Sequence, residues 1–292
     1  MPTYCDGDWA RLRYGVLAAH DGTKLAYHVL GAGTPVVCLP GGPMQDSVYL
    51  GDLGGLSGRL QLILFDYRGT GQSETPTDTM SYRCDRLVDD VEALREHLSL
   101  DRIALLAHSA GANLAALYAA RHPERIGKLV LITPSTRAVG ITATSEMRRE
   151  IVRLREGEPW FVPASTAFEA IQTGQETDAD WEAISPLTYG RWDAAARAHQ
   201  ASGNKQRNEE AAAVFGAEGA FDTAVTRAAL ATFGAQVLLL AGELDVAAPP
   251  SVVAEFAGVF PNATLVTQPG GGHCPWLDDP AWFTTTVATF LE

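Results

Sequence analysis

Long apolar runs are missing from this chain of 292 residues. No stretch comes near the roughly 20 consecutive apolar residues that a membrane-spanning helix requires. The first ten residues contain two aspartates and no hydrophobic stretch, so they do not resemble a secretory signal. We therefore expect a soluble, cytoplasmic protein without a membrane partner.

Positive charge is also scarce. The chain has 22 Lys and Arg against 35 Asp and Glu, which gives a formal net charge of −13. Proteins that bind the nucleic-acid backbone need clustered basic residues. The composition therefore argues against a nucleic-acid partner and leaves a small molecule or a short peptide as the expected substrate.

Cysteine is rare and unpatterned. None of the four cysteines belongs to a C-x-x-C pair, which is the usual sign of a zinc site. A cytoplasmic protein of this size needs no disulfide. We therefore expect free thiols, no metal and no cofactor, and the four thiols are Cys5, Cys38, Cys84 and Cys274.

Hydrophobic residues make up 46% of the chain, and over residues 1–135 and again from 237 onward they are grouped as strands and helices in alternation. The segments 14–19 and 24–30 flank Asp21-Gly22 and predict an antiparallel hairpin. Continuous apolar runs are typical of parallel strands buried on both faces. Such runs lie at 36–39, 62–65, 103–107, 129–132, 237–241 and 264–267, and helices are predicted at 82–98, 110–121, 251–257 and 281–291.

The alternation stops after about residue 134. Residues 136–232 carry no strong strand signal and predict several short helices, among them 147–155, 192–201 and 223–232. The sequence therefore predicts a parallel sheet with helices on both faces, formed by 1–135 and 233–292. A helical cap, 136–232, would be inserted into it.

The segment around Ser109 carries the strongest chemical signal. It nearly matches G-x-S-x-G, with Ala107 in place of the first glycine, and it lies between an apolar run and an Ala-rich helix. In such a motif the serine occupies a sharp turn that needs small neighbours and exposes its hydroxyl. The alternative is a serine that only caps the following helix.

A serine nucleophile needs a histidine base and an acid that orients the base. Asp245 and His273 follow the last two predicted strands, and the chain order serine, acid, histidine is typical of one hydrolase fold. Glu243 is the alternative acid. His108, next to the serine, is predicted to point away from it.

Two backbone amides are candidates for stabilising an oxyanion. One is that of Ala110, directly after the serine. The other is that of Gly42, in the sequence Pro40-Gly41-Gly42-Pro43 after the first parallel strand.

Pro40-Gly-Gly-Pro43, the sequence Asp66-Tyr-Arg-Gly-Thr-Gly-Gln-Ser73 and the three loops together resemble the proline iminopeptidase family of α/β hydrolases. The resemblance covers nearly all of the core and is weaker over 136–232. It implies an eight-stranded, mostly parallel sheet, a cap above the active site, and removal of an N-terminal residue from a short peptide or amino-acid amide. Residues 66–73 would form a structural turn.

Three positions depart from that family. Pro40 replaces its histidine, Met44 replaces a glycine, and Ala107 replaces the glycine before the His-Ser pair. Family members that cleave peptides hold the substrate amine with acidic residues, mainly of the cap. Candidate substrate-binding residues here are Trp160, Trp192, Glu209 and Glu210, although cap packing and solvated helix faces explain them equally well.

Other functions use the same residues. A carboxylesterase, a lactonase or a carbon–carbon bond hydrolase would have the same triad, and the cap would decide between them. A ligand-binding protein without catalysis could also have this fold. Dehalogenases and epoxide hydrolases are disfavoured, because they have a carboxylate where this chain has Ser109.

Overall fold

The computed structural model describes residues 13–203 and 205–292, so predictions made for 1–12, Cys5 among them, lie outside the described residues. The described part contains one sheet of eight strands. The strands are β1 (Arg13–Ala18), β2 (Lys24–Leu30), β3 (Pro35–Leu39), β4 (Gln61–Phe65), β5 (Ile103–His108), β6 (Ile126–Ile132), β7 (Gln236–Gly242) and β8 (Ala263–Gln268).

The strand order is β1-β2-β4-β3-β5-β6-β7-β8. β2 is antiparallel to β1 and β4, and the six strands β3 to β8 are mutually parallel. Gly22, with φ +87°, forms the turn of the predicted hairpin, because this conformation is unstrained only for glycine. The predicted eight-stranded, mostly parallel sheet is therefore present.

Helices cover both faces of the sheet. Alternate strand residues point to opposite faces, so Leu105 packs with one buried cluster and Leu106 with the other. The first cluster includes side chains of α1 (Cys84–His97), α2 (Gly111–Arg121) and α9 (Pro250–Ala257). The second includes those of α10 (Pro275–Asp278) and α11 (Pro280–Leu291). Cys38, Cys84 and Cys274 are buried free thiols.

The predicted structural turn is held by a buried ion pair. Arg68 donates two hydrogen bonds of 2.7 and 2.6 Å to Asp90 and one of 2.7 Å to Asp21. The side chains of Arg68 and Asp90 are only 6% and 2% exposed. This pair fastens the loop after β4 to α1 and to the β1–β2 turn.

We expect Arg68→Ala to lower the free energy of unfolding by about 3–5 kcal/mol, because it leaves Asp90 buried without a counter-ion. Urea unfolding followed by circular dichroism measures this. The double variant Arg68→Met/Asp90→Leu should recover most of the loss, since no buried charge remains. A loss below about 1 kcal/mol in the single variant would contradict the argument.

The chain between β6 and β7 forms helices, and no strand occurs in its described residues, 136–203 and 205–232. The predicted helices 147–155 and 192–201 are each shifted by two residues in the structure, and the predicted helix 223–232 ends two residues earlier. The helices are α3 (Ser145–Arg153), α4 (Phe161–Gln172), α5 (Asp178–Ala183), α6 (Ala194–Gly203), α7 (Glu209–Phe215) and α8 (Thr223–Leu230).

This helical segment is joined to the rest of the chain by packing and by hydrogen bonds. Phe215 and Leu230 belong to the same buried cluster as α1 and α2. The Asn208 N–H donates to the Met44 carbonyl at 3.0 Å, so the segment also contacts the loop after β3. The division into 1–135 with 233–292 and a cap of 136–232 stays a prediction. None of the helices in the described ranges combines the length and apolar character needed to span a bilayer.

Candidate active site

Three predicted residues converge at the carboxyl edge of the sheet. Ser109 follows β5, Asp245 follows β7, and His273 follows β8. The Ser109 Oγ lies 2.8 Å from the His273 Nε2, and the His273 Nδ1 lies 2.8 Å from an Asp245 carboxylate oxygen. A carboxylate only accepts hydrogen bonds, so Nδ1 carries the proton and Nε2 is free to accept from the hydroxyl.

Ser109 occupies a strained turn. Its φ is +51°, in the left-handed region that costs a non-glycine residue about 1–2 kcal/mol. A Cβ on Gly41 would lie 2.9 Å from the Ser109 Cβ, and one on Gly111 would lie 2.4 Å from the Pro40 carbonyl oxygen. Both glycines are therefore required by close approach. Ala107 is a regular strand residue paired with Leu39, which explains why alanine is accepted there.

The candidate acid, Asp245, is fully buried, and both of its carboxylate oxygens accept hydrogen bonds. One Asp245 oxygen accepts from His273, and the other accepts from the N–H groups of Ala247 and Ala248 at 2.8 and 3.1 Å. The alternative acid, Glu243, is exposed and accepts from the Gly270 N–H. The structure therefore places Asp245, not Glu243, beside the imidazole.

The backbone of His273 is held from both sides. Its N–H donates to the carbonyl of Thr188, in the helical segment, at 2.7 Å. Its carbonyl accepts from the Thr133 hydroxyl and from the His108 Nε2, each at 2.8 Å. These contacts fix the imidazole, and none of the three partners was singled out as functional from the sequence.

His108 links this contact to the loop after β3. Because its Nε2 must donate to the His273 carbonyl, its Nδ1 accepts from the Tyr49 hydroxyl, 2.5 Å away. That hydroxyl in turn accepts from the Gly41 N–H at 2.7 Å. Burial, together with the nearby His273, holds the pKa of His108 well below its usual value, and burial raises the pKa of Tyr49. Both groups are therefore uncharged at neutral pH.

The sequence predicted that His108 points away from the Ser109 hydroxyl, and it does. The sequence did not predict which groups the His108 ring binds instead. Its ring bonds to Tyr49 and to the His273 backbone rather than to Ser109. Its place next to the serine was a usable signal. Tyr49 carries no such signal, since it lies 59 residues away from its partner.

The two candidate oxyanion donors border the same open space. Gly42 and Ala110 both line a cavity that also contains Ser109 and His273. Within residues 13–203 and 205–292, neither amide N–H donates to another protein group. Both donors are therefore available to a ligand at the serine.

Two cavities open from the serine. The first, about 320 Å³, takes half of its lining from the helical segment, including Tyr189, His199, Arg207 and Glu209. The second, about 330 Å³, extends past Ala110 to the residues after β6 and to α3. Gly42, Ser109 and His273 border both, so a substrate can extend from the hydroxyl in two directions.

The four candidate substrate-binding residues have different positions. Glu209 lines the first cavity, where Arg207 lies 3.5 Å away. Trp192 lines a neighbouring cavity that shares Thr188 and Arg207 with the first. Trp160 packs under the Arg155 guanidinium at 4.6 Å, and neither it nor the exposed Glu210 borders the two cavities, as far as the described residues extend.

Metal-ligating residues are not grouped in the described part of the chain, where no cluster of three or more His, Cys, Asp or Glu could hold an ion. Cys274, beside His273, is buried, and burial raises its pKa well above the usual value. It is therefore a protonated thiol of low reactivity.

Comparison with known proteins gives a family match over most of the chain. A family model described as the alpha/beta hydrolase fold matches residues 34–280. A proline iminopeptidase of Heyndrickxia coagulans is 38% identical over 104 residues, which are 36% of each chain. The match therefore spans about a third of that relative's length.

Solved structures share the fold over nearly the full chain. A proline iminopeptidase of Mycobacterium smegmatis superposes with a TM-score of 0.70 at 22% identity, covering 95% of this chain and 97% of the other. The esterase RhEst1 of Rhodococcus sp. ECU1013 gives 0.71 at 24% identity, covering 95% and 98%. Identities this low indicate the fold and not the substrate.

Proposed function

The chain belongs to the α/β-hydrolase family, and we propose that it is a serine hydrolase that works through an acyl-enzyme, with Ser109 as the nucleophile. The observation that carries this proposal is the unbroken chain of hydrogen bonds from the Ser109 hydroxyl through His273 to the buried Asp245. The strained turn that exposes the hydroxyl to two cavities also supports it.

The reaction proceeds in two halves. The His273 Nε2 takes the Ser109 proton while Oγ attacks the substrate carbonyl carbon, and the Gly42 and Ala110 N–H groups stabilise the tetrahedral oxyanion. The imidazolium then gives its proton to the departing amine or alcohol. Water repeats both steps on the acyl-enzyme and restores the hydroxyl. Asp245 holds the required tautomer and stabilises the imidazolium.

The proposed activity is removal of an N-terminal residue from a small peptide or an amino-acid amide, as in a proline iminopeptidase. The similarity to the Heyndrickxia coagulans relative supports it. So does Glu209, whose carboxylate borders the cavity at the serine and could pair with a substrate ammonium group.

A carboxylesterase is the second candidate, and one observation favours it. Glu209 is the only carboxylate among the described residues that line the two cavities. It is largely exposed and lies 3.5 Å from the Arg207 guanidinium, so its attraction for an amine is partly satisfied. A neutral ester needs no such partner.

Two measurements test the proposal. A fluorophosphonate probe should label Ser109 covalently, and persistent failure to label would favour a ligand-binding protein over an enzyme. A substrate series should then compare proline and alanine arylamides with short-chain aryl esters that lack a free amine. Higher kcat/KM on the arylamides supports the aminopeptidase, whereas a preference for the esters assigns the carboxylesterase.

Tyr49→Phe should lower kcat more than it changes KM. The variant removes the hydroxyl that joins the Gly41 amide to His108, and so loosens both the oxyanion loop and the His273 carbonyl. A misplacement of catalytic groups by about 1 Å costs up to about 100-fold in rate. We therefore expect a loss of kcat of about 10- to 100-fold, measured by steady-state kinetics on the best substrate.

The matched control for this variant is Tyr27→Phe. Its hydroxyl bonds to His97 at 3.3 Å, and it lies on β2, which β4 and β3 separate from the serine-bearing strand β5. This control should leave kcat and KM unchanged. Equal kinetics in both variants would show that the Tyr49 hydroxyl does not support the site.

A further inference from the structure

The two cavities at the serine differ in charge. The first contains Glu209 and Arg207, which face each other. The second contains two guanidinium groups, those of Arg137 and Arg148, and no Asp or Glu among the described residues that line it. One side of the serine is therefore close to neutral, and the other is positive.

This positive cavity is unusual in a chain with 35 acidic and 22 basic residues. Arg148 lies on α3, where the neighbouring Arg149 binds Glu169 at 2.8 Å and Arg153 binds Glu146 at 2.9 Å. Arg148 itself is half-buried, and among the described residues it has neither an ion pair nor a side-chain hydrogen bond. Its guanidinium is the unpaired member of a helix whose other arginines are paired.

Arg137 has a related environment. Arg137 is exposed, its guanidinium carbon lies 5.6 Å from the centre of the Phe221 ring, and its terminal nitrogens lie against the backbone of Gly216. No carboxylate of the described chain pairs with it. A guanidinium that a ring holds in place loses less conformational entropy when it binds an anion than a free one does.

We propose that the second cavity binds a carboxylate of the substrate through Arg148 and Arg137. Guanidinium donors match carboxylate oxygens in geometry and charge, and a partly buried cation is stabilised by an anion that enters beside it. The inference rests on the proposed function. When the N-terminal amine of the substrate lies beside Glu209 in the first cavity, the leaving group, which is the rest of the peptide, extends into the second cavity beside Arg148 and Arg137. Its carboxylate is then the C-terminus of a very short peptide.

The cavity limits the size of that leaving part. A space of about 330 Å³ is at the small end of ligand pockets and suits one or two residues rather than a long chain. The assigned substrate class is therefore dipeptides and tripeptides with a free C-terminal carboxylate, in preference to their amides.

Matched substrates test this assignment. The first pair is prolyl-alanine and its C-terminal amide, and the second is 4-carboxyphenyl acetate and 4-carbamoylphenyl acetate, which differ only in the charge of the leaving group. Arg148→Gln should lower kcat/KM for the charged member of a pair by about 10- to 100-fold, mainly through KM, because a charged hydrogen bond contributes about 1.5–3 kcal/mol. The neutral member should change little.

The control is Arg149→Gln, which changes the next residue of the same helix and should leave the ratio between charged and neutral substrates as in the wild type. An equal loss on both members of each pair in Arg148→Gln, or a wild type without any preference that depends on Arg148, overturns the inference. Hydrolysis of the esters but not of the peptides overturns the aminopeptidase and still tests Arg148 on the ester pair. Hydrolysis of none of the four overturns both.

Discussion

Ser109→Ala should abolish turnover, with a loss in kcat of about 10⁶ on whichever substrate the wild type prefers. The alanine lacks the oxygen that attacks the carbonyl, and loss of a serine nucleophile has about this cost when the oxyanion donors remain. Steady-state kinetics at high enzyme concentration, with substrate still in excess, measures it together with fluorophosphonate labelling. Labelling should disappear together with activity.

Two control measurements distinguish loss of the nucleophile from loss of folding. Ser109→Ala should be folded and at least as stable as the wild type, because among the described residues the hydroxyl bonds only to the partly exposed imidazole. The control Ser165→Ala removes a half-buried serine of α4, whose hydroxyl donates only within its own helix, to the Val162 carbonyl, among the described residues, and it should retain full activity. Unchanged activity in Ser109→Ala would rule out the whole mechanism.

Asp245→Asn should lower kcat by about 10⁴ with little effect on substrate binding. The amide has nearly the same shape, but its NH₂ group can donate to the His273 Nδ1. This favours the tautomer whose Nε2 carries a proton and cannot accept from Ser109. The variant also loses the negative charge that stabilises the imidazolium.

The sequence supplies the matched control for this variant. Glu243→Gln makes the same chemical change two residues earlier in the same loop, at an exposed carboxylate that bonds to the Gly270 N–H. We expect near-wild-type kinetics from it. If Glu243→Gln were the inactive variant and Asp245→Asn the active one, the assignment of the acid would be wrong.

The sheet and the order of the three residues could be predicted because each depends on local sequence. Apolar runs such as 103–107 are long enough for a buried strand and too short for a buried helix. The runs 36–39 and 103–107 are followed by the glycines or small residues that a tight turn needs, as at Gly41 and Gly111. The carboxyl ends of parallel strands share one edge, so residues that follow those strands come together.

The helical segment was harder to predict. Its helices are short and mostly exposed, so their apolar stripes are narrow. α5 was not predicted, although Thr177 and Asp180 form a reciprocal capping box at its start. That pattern was the available signal, and it was outweighed by the absence of an apolar period. Which of these helices face the serine depends on how they pack, as the positions of Trp160 and Glu209 show.

The sequence alone determined which three residues, Ser109, Asp245 and His273, would come together, and the strands that carry them, because residue type and spacing encode strand and turn locally. Only the tertiary structure decided what surrounds them. His108 bonds to the His273 carbonyl, a backbone group that every residue has, so no side-chain pattern in the sequence predicts this contact. The unpaired state of Arg148 likewise depends on which carboxylates the folded chain brings within reach, and that is fixed by packing between distant segments.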